Sequence, residues 1–208
     1  MINKKYIAIE GAIGVGKTTL AKKISDTINC DTLLEDYIDN PFLKKFYDDN
    51  QSNSFTTQMF FLLRRIEQSI KVKDSKNLIV SDFYFGKDDL FAKLNLNSIE
   101  YNMYSEIRQK LRFDPPTPDL IIYLQASTDI LLERIKNRGL DLESNIKKKY
   151  IDSVNDVYMT HFHKYNASPL LIINTSNVNI NKERDFLMLI DQISADINGK
   201  KYFNPSSL

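Results

Sequence analysis

The chain has 208 residues, 42% of them hydrophobic and 26% charged, with a formal net charge of +1. That length is expected to form one domain, residues 1–208, with a substantial core, and near-neutrality gives no reason to expect a nucleic-acid partner or a basic membrane-binding face. The lone cysteine, Cys30, excludes an intrachain disulfide framework and suits a reducing compartment. No apolar run approaches the ~18 residues of a membrane span. The first strand-like run lies within a few residues of the N-terminus and leaves no room for a targeting peptide, so a cytoplasmic location is expected.

Residues 5–10 read as a first strand, with Tyr6-Ile7-Ala8-Ile9 at its centre. It runs into Gly11-Ala12-Ile13-Gly14-Val15-Gly16-Lys17-Thr18, the spacing G-x-x-x-x-G-K-[ST], followed by Thr19 and a helical segment to residue 28. Three glycines let successive backbone N–H groups turn inward onto phosphate oxygens. The helix N-terminus adds a positive dipole, Lys17 can reach the β- and γ-phosphates, and the Thr18 hydroxyl suits Mg²⁺. This strand–loop–helix context implies that the chain handles a nucleoside triphosphate.

Residues 31–35 form a weaker second strand, and 55–73 a helix with Phe55, Met59, Leu62, Leu63, Ile66 and Ile70 at helical spacing. Residues 77–82 are a third strand ending on Ser81 and Asp82. A helix over 97–111 and a proline-rich loop over 114–118 lead to a fourth strand, 119–125. A helix over 127–137, with Ser127 or Thr128 as N-cap, precedes Gly139. Lys147 to Lys149 read as a solvated helix face, and 170–174 as a fifth strand. Strands that are continuously apolar are buried on both faces, so the expected class is α/β: a five-stranded parallel sheet flanked by helices, with ligands at the carboxyl ends of the strands.

Those strand ends carry Glu35 and Asp82, which converge on the Lys17 region. A carboxylate there can accept a proton from an attacking hydroxyl or help to hold Mg²⁺. Arg134 and Arg138 are four residues apart, share a helix face, and stand beside a loop that Gly139 frees to move. Such arginines suit stabilisation of a transferring phosphoryl group.

The residues 10–19, Leu34-Glu35-Asp36, Asn40-Pro41-Phe42-Leu43, Phe46-Tyr47, Phe55-Thr56-Thr57-Gln58 with Arg65, Ser81-Asp82, Phe91-Ala92, Pro118 to Leu124, and Arg134 to Glu143 resemble the deoxynucleoside kinases, in particular the deoxycytidine, deoxyguanosine and deoxyadenosine kinase group. The resemblance implies a P-loop kinase fold with a short arginine-bearing lid at about 134–143, ATP as phosphoryl donor, Mg²⁺, and a 5′-hydroxyl acceptor. It implies Glu35 as general base, Gln58 bonding the nucleobase in two places, and Tyr47 and Glu143 on the sugar 3′-hydroxyl. Arg134 and Arg138 would clamp the ATP phosphates, and Asp82 would sit beside Mg²⁺ with Thr18 as direct ligand. Arg65 paired with an aspartate, Asp88 (or, by a one-residue offset, Asp89 or Lys87 at that place), implies a purine deoxynucleoside, deoxyadenosine or deoxyguanosine, with deoxycytidine next. A homodimer through helices flanking 55–73 is also implied.

The chain departs from the family pattern in two places. Animal members carry Glu-Arg-Ser after strand three, where this chain has Asp82-Phe83-Tyr84; Lys87 is the nearest cation. The lid pattern Arg-Gly-Arg is here Arg138-Gly139-Leu140. A microbial subgroup matches the Ser-Asp-Phe-Tyr run more closely. The alternative, a nucleoside monophosphate kinase of thymidylate kinase type, needs an arginine where Phe83 stands, and Glu35 would repel an acceptor phosphate. A GTP-binding switch is less favoured, because the nearest guanine-recognition run, Asn181-Lys182-Glu183-Arg184, lacks the aspartate.

Overall fold

All six residues of the first strand, Tyr6–Gly11 (β1), are buried, as are the first five of Leu120–Gln125 (β4) and the first four of Leu170–Asn174 (β5). In the computed structural model, which describes residues 2, 4–49, 53–176, 178–203 and 205, these strands join Asp31–Leu33 (β2), Ile79–Ser81 (β3) and Lys200–Phe203 (β6) in one sheet. Its order is β2-β3-β1-β4-β5-β6 and every pairing is parallel. The five-stranded expectation is therefore corrected to six. The additional strand runs along β5, and only its last residue, Phe203, is buried. An edge strand that hides one side chain leaves no continuous apolar run to read.

The helices are Lys17–Ile28 (α1), Leu43–Asp48 (α2), Ser54–Asp74 (α3), Lys87–Asn95 (α4), Ser98–Lys110 (α5), Thr128–Arg138 (α6), Lys148–Lys164 (α7) and Glu183–Ser194 (α8). α1 packs on β1, β2 and β3, α6 on α7, and α4 against α3, α5 and α7. α5 begins with a capping box: Asn97 Oδ1 accepts from the N–H groups of Ile99 and Glu100, and Glu100 Oε2 accepts from the Asn97 N–H, each at 3.0 Å. Two apolar clusters result. The larger surrounds the sheet. The smaller, built on Leu62, Phe85, Ala92 and Tyr104, fixes α3, α4 and α5 to one another. Among the described residues no helix is long and apolar enough to cross a membrane.

The loop after β1 is held close to the sheet. A Cβ on Gly11 would lie 2.4 Å from the Leu124 carbonyl oxygen, and one on Gly14 would lie 2.8 Å from that of Leu131. Both residues also have positive φ, 146° and 82°, so only glycine lets this loop lie against β4 and α6.

Candidate active site

A cavity of about 820 Å³ opens beside the carboxyl ends of β1, β2 and β3. One end is the glycine loop. Gly16, at φ 104°, turns the chain into α1, and the Lys17 ammonium folds back onto the carbonyl oxygens of Gly11 (2.8 Å) and Ala12 (3.1 Å). Burial, with the nearby Lys87 ammonium adding to it, lowers the Lys17 pKa to about 8. The Thr18 hydroxyl donates to Asp82 Oδ2, and Asp82 Oδ1 accepts from the backbone N–H of Glu35 at 2.8 Å. Asp82 thus ties the glycine loop to the segment that follows β2.

Glu35 lies across the cavity from that loop, its side chain 14% exposed. Its Oε1 accepts from Arg65 Nε at 2.9 Å and Nη2 at 2.8 Å, and its Oε2 accepts from Lys87 Nζ at 2.7 Å. Burial alone would raise this carboxyl's pKa. The charges and hydrogen bonds of Lys87 and Arg65 outweigh burial and hold it down at about 2. The backbone is fixed as well, since Gln68 Nε2 on α3 donates to the Leu34 carbonyl at 2.6 Å.

Arg65 reaches two acids at once. Its Nη1 also donates to Asp88 Oδ1, which accepts from Gln58 Nε2 at 2.9 Å, while Asp88 Oδ2 accepts from the Tyr104 hydroxyl. Asp88 is fully buried and does not line the cavity. Burial raises its pKa against the pull of Arg65. Sequence reading placed Asp88 against a ligand; the structure places it behind Gln58 and Arg65. The second Gln58 amide N–H goes to the Asp88 carbonyl at 3.0 Å, so Gln58 Oε1 has no donor among the described residues. Arg65 also stacks on Phe61, its guanidinium carbon 4.8 Å from the ring centroid.

The two arginines of α6 are used differently. Arg134 is pinned beside the glycine loop, donating to the carbonyls of Val15 (3.2 Å) and Thr175 (3.0 Å) and to Thr175 Oγ1 (2.9 Å). Arg138 instead grips Glu143, with Nη2 2.6 Å from both carboxylate oxygens and Nε 3.1 Å from Oε2. Gly139 caps α6 in the left-handed region, and a 3₁₀ turn over Asp141–Glu143 brings Glu143 inward to 4% exposure. α2 presents Tyr47 to the cavity, packed edge-on against Tyr150. Asp141 of the turn is paired with Lys44 of α2, and Asn145 with Asp48.

The family model for deoxynucleoside kinases matches residues 7–198. The chain belongs to the deoxynucleoside kinase family. This kinase is 37% identical over 153 residues to a deoxyguanosine kinase of Bacillus subtilis, covering 72% of this chain and 74% of that protein. It is 32% identical over 204 residues to a deoxyadenosine kinase of Dictyostelium discoideum, covering 96% and 82%. Among solved structures, a deoxyadenosine kinase from M. mycoides with bound dATP superposes with a TM-score of 0.81, at 26% identity, over 91% of this chain and all of the other. The P-loop kinase fold expected from sequence is thereby borne out, with six strands.

The kinase also contains site residues that sequence reading did not reach. Glu10, the last residue but one of β1, has no exposed surface: its Oε1 accepts from the Tyr84 N–H, and its Oε2 from the Gly11 N–H and the Tyr158 hydroxyl. It binds the start of the glycine loop to the segment after β3. Burial raises its pKa despite the neighbouring lysines. Thr175, Tyr150 and Tyr158 line the cavity. Thr175, Tyr150 and Tyr158 carry no local motif, and the burial of Glu10 becomes visible only through the partners it meets across the fold.

Proposed function

We propose that this enzyme transfers the γ-phosphoryl group of ATP to the 5′-hydroxyl of a purine deoxynucleoside, deoxyadenosine or deoxyguanosine first and deoxycytidine next. The observation that carries the reading is the Arg65 guanidinium held between Glu35 and Asp88. It joins a carboxylate held ionised at the cavity wall to a surface suited to a nucleobase. Gln58 offers Oε1, an acceptor with no donor among the described residues, and Arg65 retains N–H donors beyond those bonded to its two acids. A donor and an acceptor side by side complement an exocyclic amine next to a ring nitrogen.

In this reading the loop from Gly11 to Thr19 and the Lys17 ammonium receive the triphosphate, with Arg134 beside them. Arg138 leaves Glu143 for the phosphates as Glu143 and Tyr47 take the 3′-hydroxyl. Glu35 accepts the 5′-hydroxyl proton. Thr18 and Asp82 meet at the cavity wall with oxygen donors only, the chemistry that Mg²⁺ prefers, and they would hold it. Bound there, Mg²⁺ would neutralise charge on the phosphate oxygens. The rest is positioning and fixed charge.

The test is a panel: the protein with Mg-ATP and each deoxynucleoside and deoxynucleoside monophosphate in turn, with ADP and product measured. The expected result is phosphorylation of purine deoxynucleosides. Phosphorylation of monophosphates alone would overturn the reading. The buried Phe83 and the carboxylate of Glu35 both disfavour an acceptor phosphate.

The proposal extends to a homodimer. Leu63 and Ile70 on α3 and Ile99 and Met103 on α5 are exposed on neighbouring helices, as a self-association face requires. Sedimentation is expected to give twice the monomer mass, and charged residues at Ile99 and Met103 should return the monomer. A monomeric native protein would remove the claim.

A further inference from the structure

Lys87 stands where the two ends of the cavity meet. It opens α4, its side chain is 4% exposed, and it lines the cavity together with Lys17, Glu35 and Asp82. A lysine ammonium has three donors, and among the described residues one of them is used, on Glu35 Oε2. Glu35 keeps a second counter-charge when Lys87 is drawn away, because two N–H groups of Arg65 bond its other oxygen. Lys87 and Lys17 are moreover close enough to repel each other. Glu10, Asp82 and Glu35 offset part of that repulsion, and an anion in the cavity between the half-buried Lys17 and the buried Lys87 would offset more of it. Lys17 belongs to the glycine loop on the donor side; Lys87 belongs to the Glu35 side.

Building on the kinase reading above, we propose that Lys87 is a catalytic residue. As the substrates fill the cavity, its ammonium leaves Glu35 Oε2 for a peripheral oxygen of the transferring phosphoryl group. That group then lies between Lys17 and Lys87, and the freed Glu35 oxygen meets the acceptor hydroxyl. In the step itself the 5′-oxygen bonds to the γ-phosphorus, and the bond from that phosphorus to the β,γ-bridging oxygen breaks. The bond's electron pair leaves with ADP, the hydroxyl proton goes to Glu35, and Lys87 keeps its protons throughout. The chain has phenylalanine, Phe83, immediately after Asp82, and that side chain is buried. The acceptor-side cation thus comes from the first turn of α4 rather than from the end of β3.

The experiment compares wild type, Lys87→Met, Lys87→Arg, Glu35→Gln and the Glu35→Gln/Lys87→Met double variant on a deoxynucleoside that the wild type phosphorylates. Lys87→Met should lower kcat about 100-fold while both KM values stay within about threefold, because the contact strengthens as charge shifts onto the phosphoryl oxygens in the transition state. Lys87→Arg should recover to within about tenfold of wild type. A residue that only positioned Glu35 would have no further effect once Glu35 is gone. Lys87→Met should instead cost at least about a further tenfold in the Glu35→Gln background, read by single turnover. Turnover of Lys87→Met within threefold of wild type, or a loss that vanishes in the Glu35→Gln background, overturns the proposal. If Lys87→Met does not fold, Lys87→Gln carries the same expectations. A wild type inactive on every deoxynucleoside would overturn the functional reading itself, a separate outcome.

Discussion

Replacement of Glu35 by Gln is expected to cut turnover by about 10³-fold while leaving ATP affinity within about threefold. The amide has nearly the shape of the carboxylate and one oxygen with which to meet Arg65, yet it cannot accept the 5′-hydroxyl proton. The glycine loop, Lys17 and Arg134 do not touch the Glu35 side chain, so ATP binding has no reason to change. Single-turnover product formation beside calorimetric ATP titration checks both halves; turnover within tenfold of wild type would take Glu35 out of the base role. The same variant tests the charge balance through stability. The folded-state pKa of Glu35, about 2, lies below its ordinary 4.5. Its contribution is therefore complete above about pH 4.5, at roughly 3 kcal/mol at most, and is lost as pH falls toward 2. The stability gap between wild type and Glu35→Gln should shrink by about 1 kcal/mol between pH 7 and pH 4, measured by urea unfolding. A gap that widened on acidification would mean that Glu35 is not held as a stabilised anion.

What the sequence revealed and what it concealed follow the same physics. β1, β4 and β5 were legible because strands covered on both faces must be apolar throughout. β6 was not, since Lys200, Lys201 and Tyr202 are all exposed beside a single buried Phe203. The glycine loop was legible because close approach to the Leu124 and Leu131 carbonyls leaves no alternative to glycine. Gln58 and Arg65 stand seven residues apart on α3, two helical turns, so a shared face could be read. Their burial could not, because it depends on Asp88 and Glu35 arriving from other segments. The run Lys87-Asp88-Asp89 resembles the polar opening of a surface helix, and Asp89 does pair with the exposed Lys93. Its two neighbours are buried only because α3 supplies Arg65 and Gln58, and β2 leads into Glu35. Glu10 shows the same limit: its burial rests on the Tyr84 N–H and the Tyr158 hydroxyl arriving from distant segments, beside the N–H of the adjacent Gly11.

Asp88 is where that long-range dependence carries the largest structural effect. Removing its carboxylate in Asp88→Ala leaves the Tyr104 hydroxyl with no acceptor and removes one of the two anions beside the buried Arg65. Breaking one partner of a buried ion pair costs about 3–5 kcal/mol, far more than the pair's net worth, because the remaining charge stays desolvated. Asp88→Ala is therefore expected to lose about that much unfolding free energy. Asp88→Asn keeps the volume and an acceptor for Gln58 and Arg65, and should lose roughly 1–2 kcal/mol. The gentler variant is the one that reads function. Both Gln58 amide N–H groups end on Asp88, which leaves Oε1 as the atom that a base would meet under the proposed function. An asparagine amide can bond Gln58 in either orientation, so that only the backbone carbonyl of residue 88 still enforces the Oε1 direction. KM for the preferred deoxynucleoside should then rise about tenfold, with KM for ATP unchanged and discrimination between bases reduced. Unfolding curves for both variants, with KM values for each deoxynucleoside in Asp88→Asn, separate the two effects. Unchanged base discrimination in a folded Asp88→Asn would mean that Asp88 holds the fold of α3 and α4 without setting what the cavity recognises.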